Sequence, residues 1–425
     1  MPARLLYTLI WCITLPAVLI RLVWRSRRQP AYLEHLAERF GYGTPLNRPL
    51  LWVHAVSVGE TRAAAGLIRQ LLQRYPTHHI LLTHMTPTGR ATGAELFARE
   101  PRVQQRYLPY DLPWAVATFL SRTRPALGLI METELWPNLF AACACAKVPL
   151  ILANARLSAR SARGYQRIRP LATPALASLK AVGAQSPDDL RRLADLGARD
   201  VRLTGNVKFD ARAPADQHEL GERFRERMGG RPVLLAASTR EGEEALILAA
   251  FADQAPPEVI LALVPRHPQR FDEVAQLARE RALTVQRRSD DRPLGPDTRV
   301  WLGDSMGEMF AYYHAADVAL IGGSWLPLGG QNLIEACAVG CPVVTGPHTF
   351  NFAQVTIEAC DRGAAWRAGN VAAGVAEALE ILADRPRRQA MGQAGIEFVK
   401  AHQGATERTL ALIAPYLATA APNRD

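Results

Sequence analysis

The sequence predicts an α/β protein: two tandem Rossmann-like, doubly wound domains facing a cleft, with an N-terminal membrane-anchor helix. Three observations carry that prediction. Short apolar runs alternate with helical patterns from residue 50 to residue 204, the alternation stops in a charged stretch after Asp210, and it restarts at Pro232. Glycine-containing loops end several of the runs, and ligands of doubly wound sheets bind at the carboxyl ends of the strands.

The chain opens on an apolar segment, residues 5–24, broken only by two threonines and Arg21. Its length matches the roughly 20 residues that cross a bilayer as a helix. Arg25, Arg27 and Arg28 flank it downstream, so the positive-inside rule leaves the body of the protein in the cytoplasm. A cleaved signal peptide and a helix lying in the interface are the alternatives. Residues 21–48 carry six arginines against Glu34 and Glu38, with Trp24, Tyr32, Phe40 and Tyr42 between them. That mixture suits anionic headgroups, or an amphipathic lead into the first domain. Residues 1–48 are therefore read as a membrane anchor and basic amphipathic segment.

Strands are expected at 50–56, 80–83, 126–131, 149–153 and 201–204, separated by helices such as 61–73 and 186–196, which makes 49–210 the first domain. Residues 211–231 are polar and read as a linker. Further strands at 232–237, 259–264, 300–302, 318–321 and 342–344 place the second domain at 232–425.

A formal charge of +10 favours anionic partners, with nucleic acid, anionic lipid and phosphorylated substrates all open. The six cysteines form no CxxC pair, which points to reduced thiols in a cytosolic compartment. Only four of the 50 basic residues are lysine. Lys208, at a predicted strand end in TGNVKFD, therefore draws notice, because a compact ammonium does what a guanidinium fork does not.

In residues 317–348 a strand meets Gly322 and Gly323, then Gly329 and Gly330 open a helical pattern carrying Glu335. Glycines admit an anion to backbone amides, a helix start adds partial positive charge, and a carboxylate can hold sugar hydroxyls. A phosphorylated nucleoside fits that combination, and so does a tight turn whose glycines serve packing. In the first half, VHAVSVGE sets Glu60 at a helix start, where its ionised form is favoured, as a candidate general base or a simple cap. METELWPN offers Glu132 and Glu134 just before a helix started by Pro137; one of them is expected to face the cleft, and helix-start acids are the alternative. Arg156, Arg160, Arg163, Arg167 and Arg169 share one stretch without an acid and could grip phosphates, rest on lipid, or be plain surface charge. VPRHP ends a strand with Pro265 and Arg266, and GDSMGEM puts Met306, Gly307 and Glu308 in a turn able to read a pyrimidine edge. No D-x-D motif occurs, so a metal-dependent nucleotide-sugar site has no support in the sequence.

Together VHAVSVGE, MTPTG, YLPYDLP, METELWPN, NARLSARSARGY, GNVKFD, VPRHP, MGE, GGQNLIE and GPHTFNF resemble the Kdo (3-deoxy-D-manno-octulosonic acid) transferases of lipopolysaccharide biosynthesis, in order from the anchor to about Phe352. The resemblance implies a glycosyltransferase B architecture, a CMP-Kdo donor, a lipid A precursor (lipid IVA) as acceptor, attachment to the cytoplasmic side of the inner membrane, and neither cofactor, metal nor nucleic acid. It further implies Glu60 as general base of an inverting transfer, with Glu132 and Lys208 supporting the transition state. CMP would be held by Pro265 and Arg266, by Met306, Gly307 and Glu308, and by Asn332, Leu333, Ile334 and Glu335. Several family members have His and Pro where this chain has Gln331 and Leu333. Two other readings stay open: a sugar-nucleotide epimerase of the same fold, and a noncatalytic membrane-tethered lipid-binding protein.

Overall fold

The computed structural model describes residues 2–27 and 29–418. The chain forms two compact units, Met1–Asp210 with Gln403–Asp425, and Ala211–His402.

In the first unit seven parallel strands, β1 (Leu50–His54), β2 (His79–His84), β3 (Val103–Tyr107), β4 (Leu127–Met131), β5 (Leu150–Ala155), β6 (Ala181–Ala184) and β7 (Val201–Leu203), lie in the order β3-β2-β1-β4-β5-β6-β7. Every residue of β1 is buried: Leu50 and Trp52 join the core on one face of the sheet, Leu51 and Val53 the core on the other. A parallel sheet covered on both sides needs such unbroken apolar runs, which is why these strands were visible in the sequence. The order reverses between β1 and β4, which pair directly, so the ends of these two strands mark the topological switch point.

The second unit repeats the plan with β8 (Val233–Thr239), β9 (Ile260–Pro265), β10 (Val285–Arg287), β11 (Val300–Leu302), β12 (Val318–Ile321), β13 (Val343–Thr345) and β14 (Ala365–Arg367). Their order is β10-β11-β9-β8-β12-β13-β14, again all parallel, with the switch between β8 and β12.

Three boundaries differ from the sequence expectation. Residues 211–231 are not a bare linker, because the helix Ala215–Arg227 buries Phe224 against Trp301 and Tyr312, with ring centroids 4.9 and 5.1 Å away. Nor does the second domain run to residue 425. The helix Ala405–Ala418 returns to the first unit, where Leu410, Ile413 and Leu417 complete the core that holds Leu51 and Val53, and Asp210 accepts bonds from the amides of Gly404 and Thr406. An apolar stripe on that helix and an uncovered sheet face need one another. Finally, part of the basic segment folds inward: Arg39 is 2% exposed, lies over the Tyr107 ring at 3.9 Å, and donates to the Met85 carbonyl.

The N-terminal helix, Pro2–Ser26, is long and apolar enough to cross a membrane by length and composition. Yet it is held along its side. Trp11, Leu15, Val18 and Leu19, spaced three and four apart on one face, pack on Tyr110, Leu112 and Ala115. Tyr7 donates to Asp111 (2.9 Å), Trp11 donates to the Tyr7 hydroxyl (2.7 Å), and Asn138 donates to the Thr8 hydroxyl (3.0 Å). These contacts extend over about 18 Å of helix axis at 1.5 Å per residue. Leu6, Leu9, Ile13, Ile20 and Trp24 remain exposed.

Candidate active site

At the β1/β4 switch the chain leaves β1 through Val56 and Ser57 and enters the helix Val58–Arg74, which puts Glu60 in its first turn. The carboxylate turns back on the loop: Oε2 accepts from the Val56 amide (2.8 Å) and Oε1 from the Ser57 hydroxyl (3.2 Å). Glu60 is thus a cap as well as a candidate base. Its carboxyl is pushed up to about 7, chiefly by burial, and further by the charges of Glu132 and Glu134. The sequence expectation of a favoured ionised form is corrected here, since burial outweighs the helix start. A carboxyl that titrates near neutrality is suited to taking a proton.

Glu132 lies one residue past β4 with φ +56°, a left-handed conformation that turns the chain out of the strand. The two-residue alternation of a strand therefore does not apply beyond Met131. Both Glu132 and Glu134 act on Glu60, where the sequence reading expected one of them at the cleft. Lys208, in the short turn Val207–Asp210 after β7, reaches Glu132 with Nζ 3.1 Å from Oε1. Tyr165 lies close enough to Glu134 for that carboxylate to add to the rise that burial causes in its hydroxyl pKa. It comes from the helix Ala159–Arg167, whose Arg160, Arg163 and Arg167 are exposed. Glu60, Glu132, Glu134 and Lys208 thus gather at one end of the first sheet; Glu134 is the member that sequence reasoning undervalued.

In the second unit the nucleotide candidates lie at strand ends. Pro265 closes β9, and the Arg266 amide donates to the Thr239 carbonyl at the end of β8 (2.9 Å). After β11 comes the turn with Met306, 45% exposed, and Gly307 at φ +81°, a conformation that suits glycine. Glu308 is engaged by the protein itself, accepting from Arg288 (3.1 and 3.2 Å) and from Ser305. Past β12, the Asn332 amide donates to Glu335 (3.0 Å), and its oxygen accepts from the Ile334 amide (3.2 Å). Leu333 and Ile334 are buried, so these two offer a ligand only their backbone. The helix that carries Glu335 is short, Ile334–Ala338.

The glycine pairs turn inward more than the sequence suggested. Gly330 and Gln331 donate to the carbonyls of Gly323 and Gly322 (2.7 and 2.9 Å). The anion seated among the loop amides is the chain's own Glu243, fully buried, which accepts from Arg240 (2.9 Å), Gly323 (2.7 Å) and Trp325 (2.9 Å). Glu243 starts the helix after β8 and so ties the two strands of the switch point together. Its only sequence signal is a paired glutamate, Glu243 and Glu244, shortly after a strand end.

Two doubly wound units of this kind make the glycosyltransferase B architecture, and the family "Glycosyl transferases group 1" matches residues 248–398. The protein is a glycosyltransferase. Its first unit gives the particular family, since residues 34–211 match "3-Deoxy-D-manno-octulosonic-acid transferase (kdotransferase)". The chain is 45% identical over 417 residues to the 3-deoxy-D-manno-octulosonic acid transferase of Bordetella pertussis, covering 93% of this chain and 96% of that one. It is 37% identical to the enzyme of the same name from Haemophilus influenzae, covering 97% and 99%. The chain belongs to the Kdo transferase family. A UDP-GlcNAc 2-epimerase from Neisseria meningitidis, solved with UDP-GlcNAc, shares the fold at 16% identity and a TM-score of 0.56, covering 86% of this chain and 100% of that one. That likeness explains why an epimerase fitted the fold, and the family membership decides against it.

Proposed function

We propose that this protein transfers Kdo from CMP-Kdo to a lipid A precursor of the lipid IVA type, with inversion and without a metal, at the cytoplasmic face of the inner membrane. The observation that carries the mechanism is Glu60, half-buried, titrating near 7 and set beside the Glu132–Lys208 pair. As the bond between the anomeric carbon and the CMP phosphate oxygen breaks, its electron pair leaves with CMP and the sugar becomes electron-poor. The acceptor hydroxyl attacks from the opposite face and gives its proton to Glu60. A single displacement of this kind inverts the anomeric centre.

Lys208 supplies positive charge for the sugar's carboxylate or the departing phosphate, and Glu132 holds its ammonium in place. In the second unit, Arg266 faces the phosphate, the turn at Met306, Gly307 and Glu308 takes the cytosine edge, and Asn332 with Glu335 and the backbone of Leu333 and Ile334 holds the ribose and phosphate. A phosphorylated lipid acceptor agrees with the first unit's surface, where the exposed arginines of Ala159–Arg167 lead into the helix Arg169–Ala177, a neighbour of the apolar N-terminal helix. Because that helix is bound along its side, it attaches the enzyme in the plane of the membrane, exposed face toward the acyl chains.

Glu60→Gln tests the mechanism. It is expected to keep CMP binding and to lower turnover of labelled CMP-Kdo by at least about 10²-fold, since an amide takes no proton. Near-normal turnover by the folded variant would remove Glu60 from the chemistry.

A further inference from the structure

Away from the strand ends, the helix Ala215–Arg227 packs on the helix Met309–Ala315. His218 and Glu222 lie one turn apart on the first helix and share a face, and His314 comes from the second. The rings of His218 and His314 are 4.0 Å apart between centroids, and Nδ1 of His218 is 3.8 Å from Oε1 of Glu222. One ligand atom from each of the three side chains lies within 4.8 Å of the other two, the one such group of metal-ligating side chains among the described residues. The approach depends on Gly221: a Cβ there would sit 2.8 Å from Cβ and Cδ2 of His314 and 3.0 Å from the Ala311 carbonyl.

We propose that His218, Glu222 and His314 form a binding site for a borderline divalent transition-metal ion of the zinc class, which clamps these two helices together. Two imidazole nitrogens and a carboxylate oxygen are a donor set that zinc accepts, with water in the fourth position. Bonds of about 2.1 Å set tetrahedral donors about 3.4 Å apart. The exposed side chains of His218 and Glu222 can close the present spacing by rotation, without moving either helix. Hard cations such as magnesium prefer oxygen ligands and are excluded by the two imidazoles. The clamp lies away from the strand ends: Met309–Ala315 follows directly on the turn of Met306, Gly307 and Glu308, and its far end carries His314.

The test uses the full-length protein in detergent, titrated with zinc chloride by calorimetry and melted with and without it. One equivalent is expected to bind and to raise the melting temperature by several degrees, with magnesium doing neither. Cobalt(II) reports the donors, because six free cysteines, Cys12 and Cys145 exposed among them, offer thiolates as competitors. Its spectrum should lack the near-ultraviolet thiolate-to-metal band. His218→Ala, on the exposed helix face, and Glu222→Gln should lose the equivalent and the melting shift while keeping the metal-free melting temperature; His314→Ala adds the second helix. The proposal is overturned by the absence of binding, by equal zinc binding in wild type and His218→Ala, or by a thiolate band that disappears in Cys145→Ser.

Discussion

Lys208 Nζ stands 3.1 Å from Oε1 of Glu132, although the two residues are 76 positions apart in the chain. The pair balances one of the two carboxylates whose charge helps to hold Glu60 near 7. Glu60 is therefore adjusted by the same groups proposed to steady the transition state.

Turnover should rise with pH through about 7 as Glu60 loses its proton. Glu132→Gln removes a negative charge and should move this acid limb to lower pH, while Lys208→Met should move it to higher pH. Rates measured from pH 5 to 9 on all three proteins decide this. Limbs that coincide would mean that a different group sets the profile.

The same carboxyl weakens the fold. Its value rises from the ordinary 4.5 to about 7 on folding, so the folded chain keeps a proton that the unfolded chain releases between those values. Stability consequently declines as pH climbs through that window, by at most ~3.5 kcal/mol at about 1.4 kcal/mol per unit. Glu60→Gln carries no charge and keeps an oxygen for the Val56 amide. It should melt higher than wild type at pH 8 and close to it at pH 5. Equal melting temperatures at pH 8 would contradict the burial of this charge.

Glu243→Gln turns an amide toward backbone N–H groups that now share a carboxylate, leaving buried donors without an acceptor. Charge-assisted bonds of this kind are worth about 1.5–3 kcal/mol each, so a loss of at least ~2 kcal/mol is expected. CMP affinity should fall with it, because Gly323 and Trp325 stand in the loop that leads to Asn332. Calorimetry with CMP checks the second effect, and unchanged affinity would separate Glu243 from the nucleotide site.

Transfer should persist in EDTA, since Arg266 and Lys208 supply the positive charge that the chemistry asks for. Activity lost in the chelator and restored by magnesium would refute metal independence. A lower melting temperature in EDTA at unchanged initial rate is instead what the His218 site predicts for protein purified with its ion.

If the helix Pro2–Ser26 were an anchor alone, its deletion would leave the fold untouched. The lateral docking changes that, because Tyr110 and Leu112 would be laid bare and Asp111 would lose Tyr7. The truncated protein should leave the membrane and also melt several degrees lower. An unchanged melting temperature would show that the docking contributes nothing to the fold.

Ten of the fourteen strands among the described residues were legible in the sequence, and three of the four missed share a physical character. β3, with Gln104, Gln105 and Arg106, is an edge strand, as are the three-residue β10 and β14, so none had to be apolar on both faces. β6 is interior but only AVGA, too short and small to stand out. Glu60, Glu132 and Lys208 could be found because strand ends carry function in this architecture. Glu134 was legible beside Glu132, whereas Glu243 was not, because its role depends on a loop 80 residues later in the chain. His314 has no local motif, and only the helix contact brings it to His218.

The chain passes from the first unit into the second after Asp210 and comes back at Gln403, and Asp210 itself caps the returning helix. The second unit is in effect an insertion, and this has a bearing on synthesis. Domains tend to fold as they emerge from the ribosome, N-terminal first. Here the sheet made first must wait for residues made after the whole second unit, with the core around Leu51 and Val53 open until Leu410, Ile413 and Leu417 arrive. During that interval the half-covered sheet and the apolar face of Pro2–Ser26 are exposed together in the nascent chain. Early capture of the N-terminal helix by a membrane would shelter one of these two surfaces before the second unit has been translated.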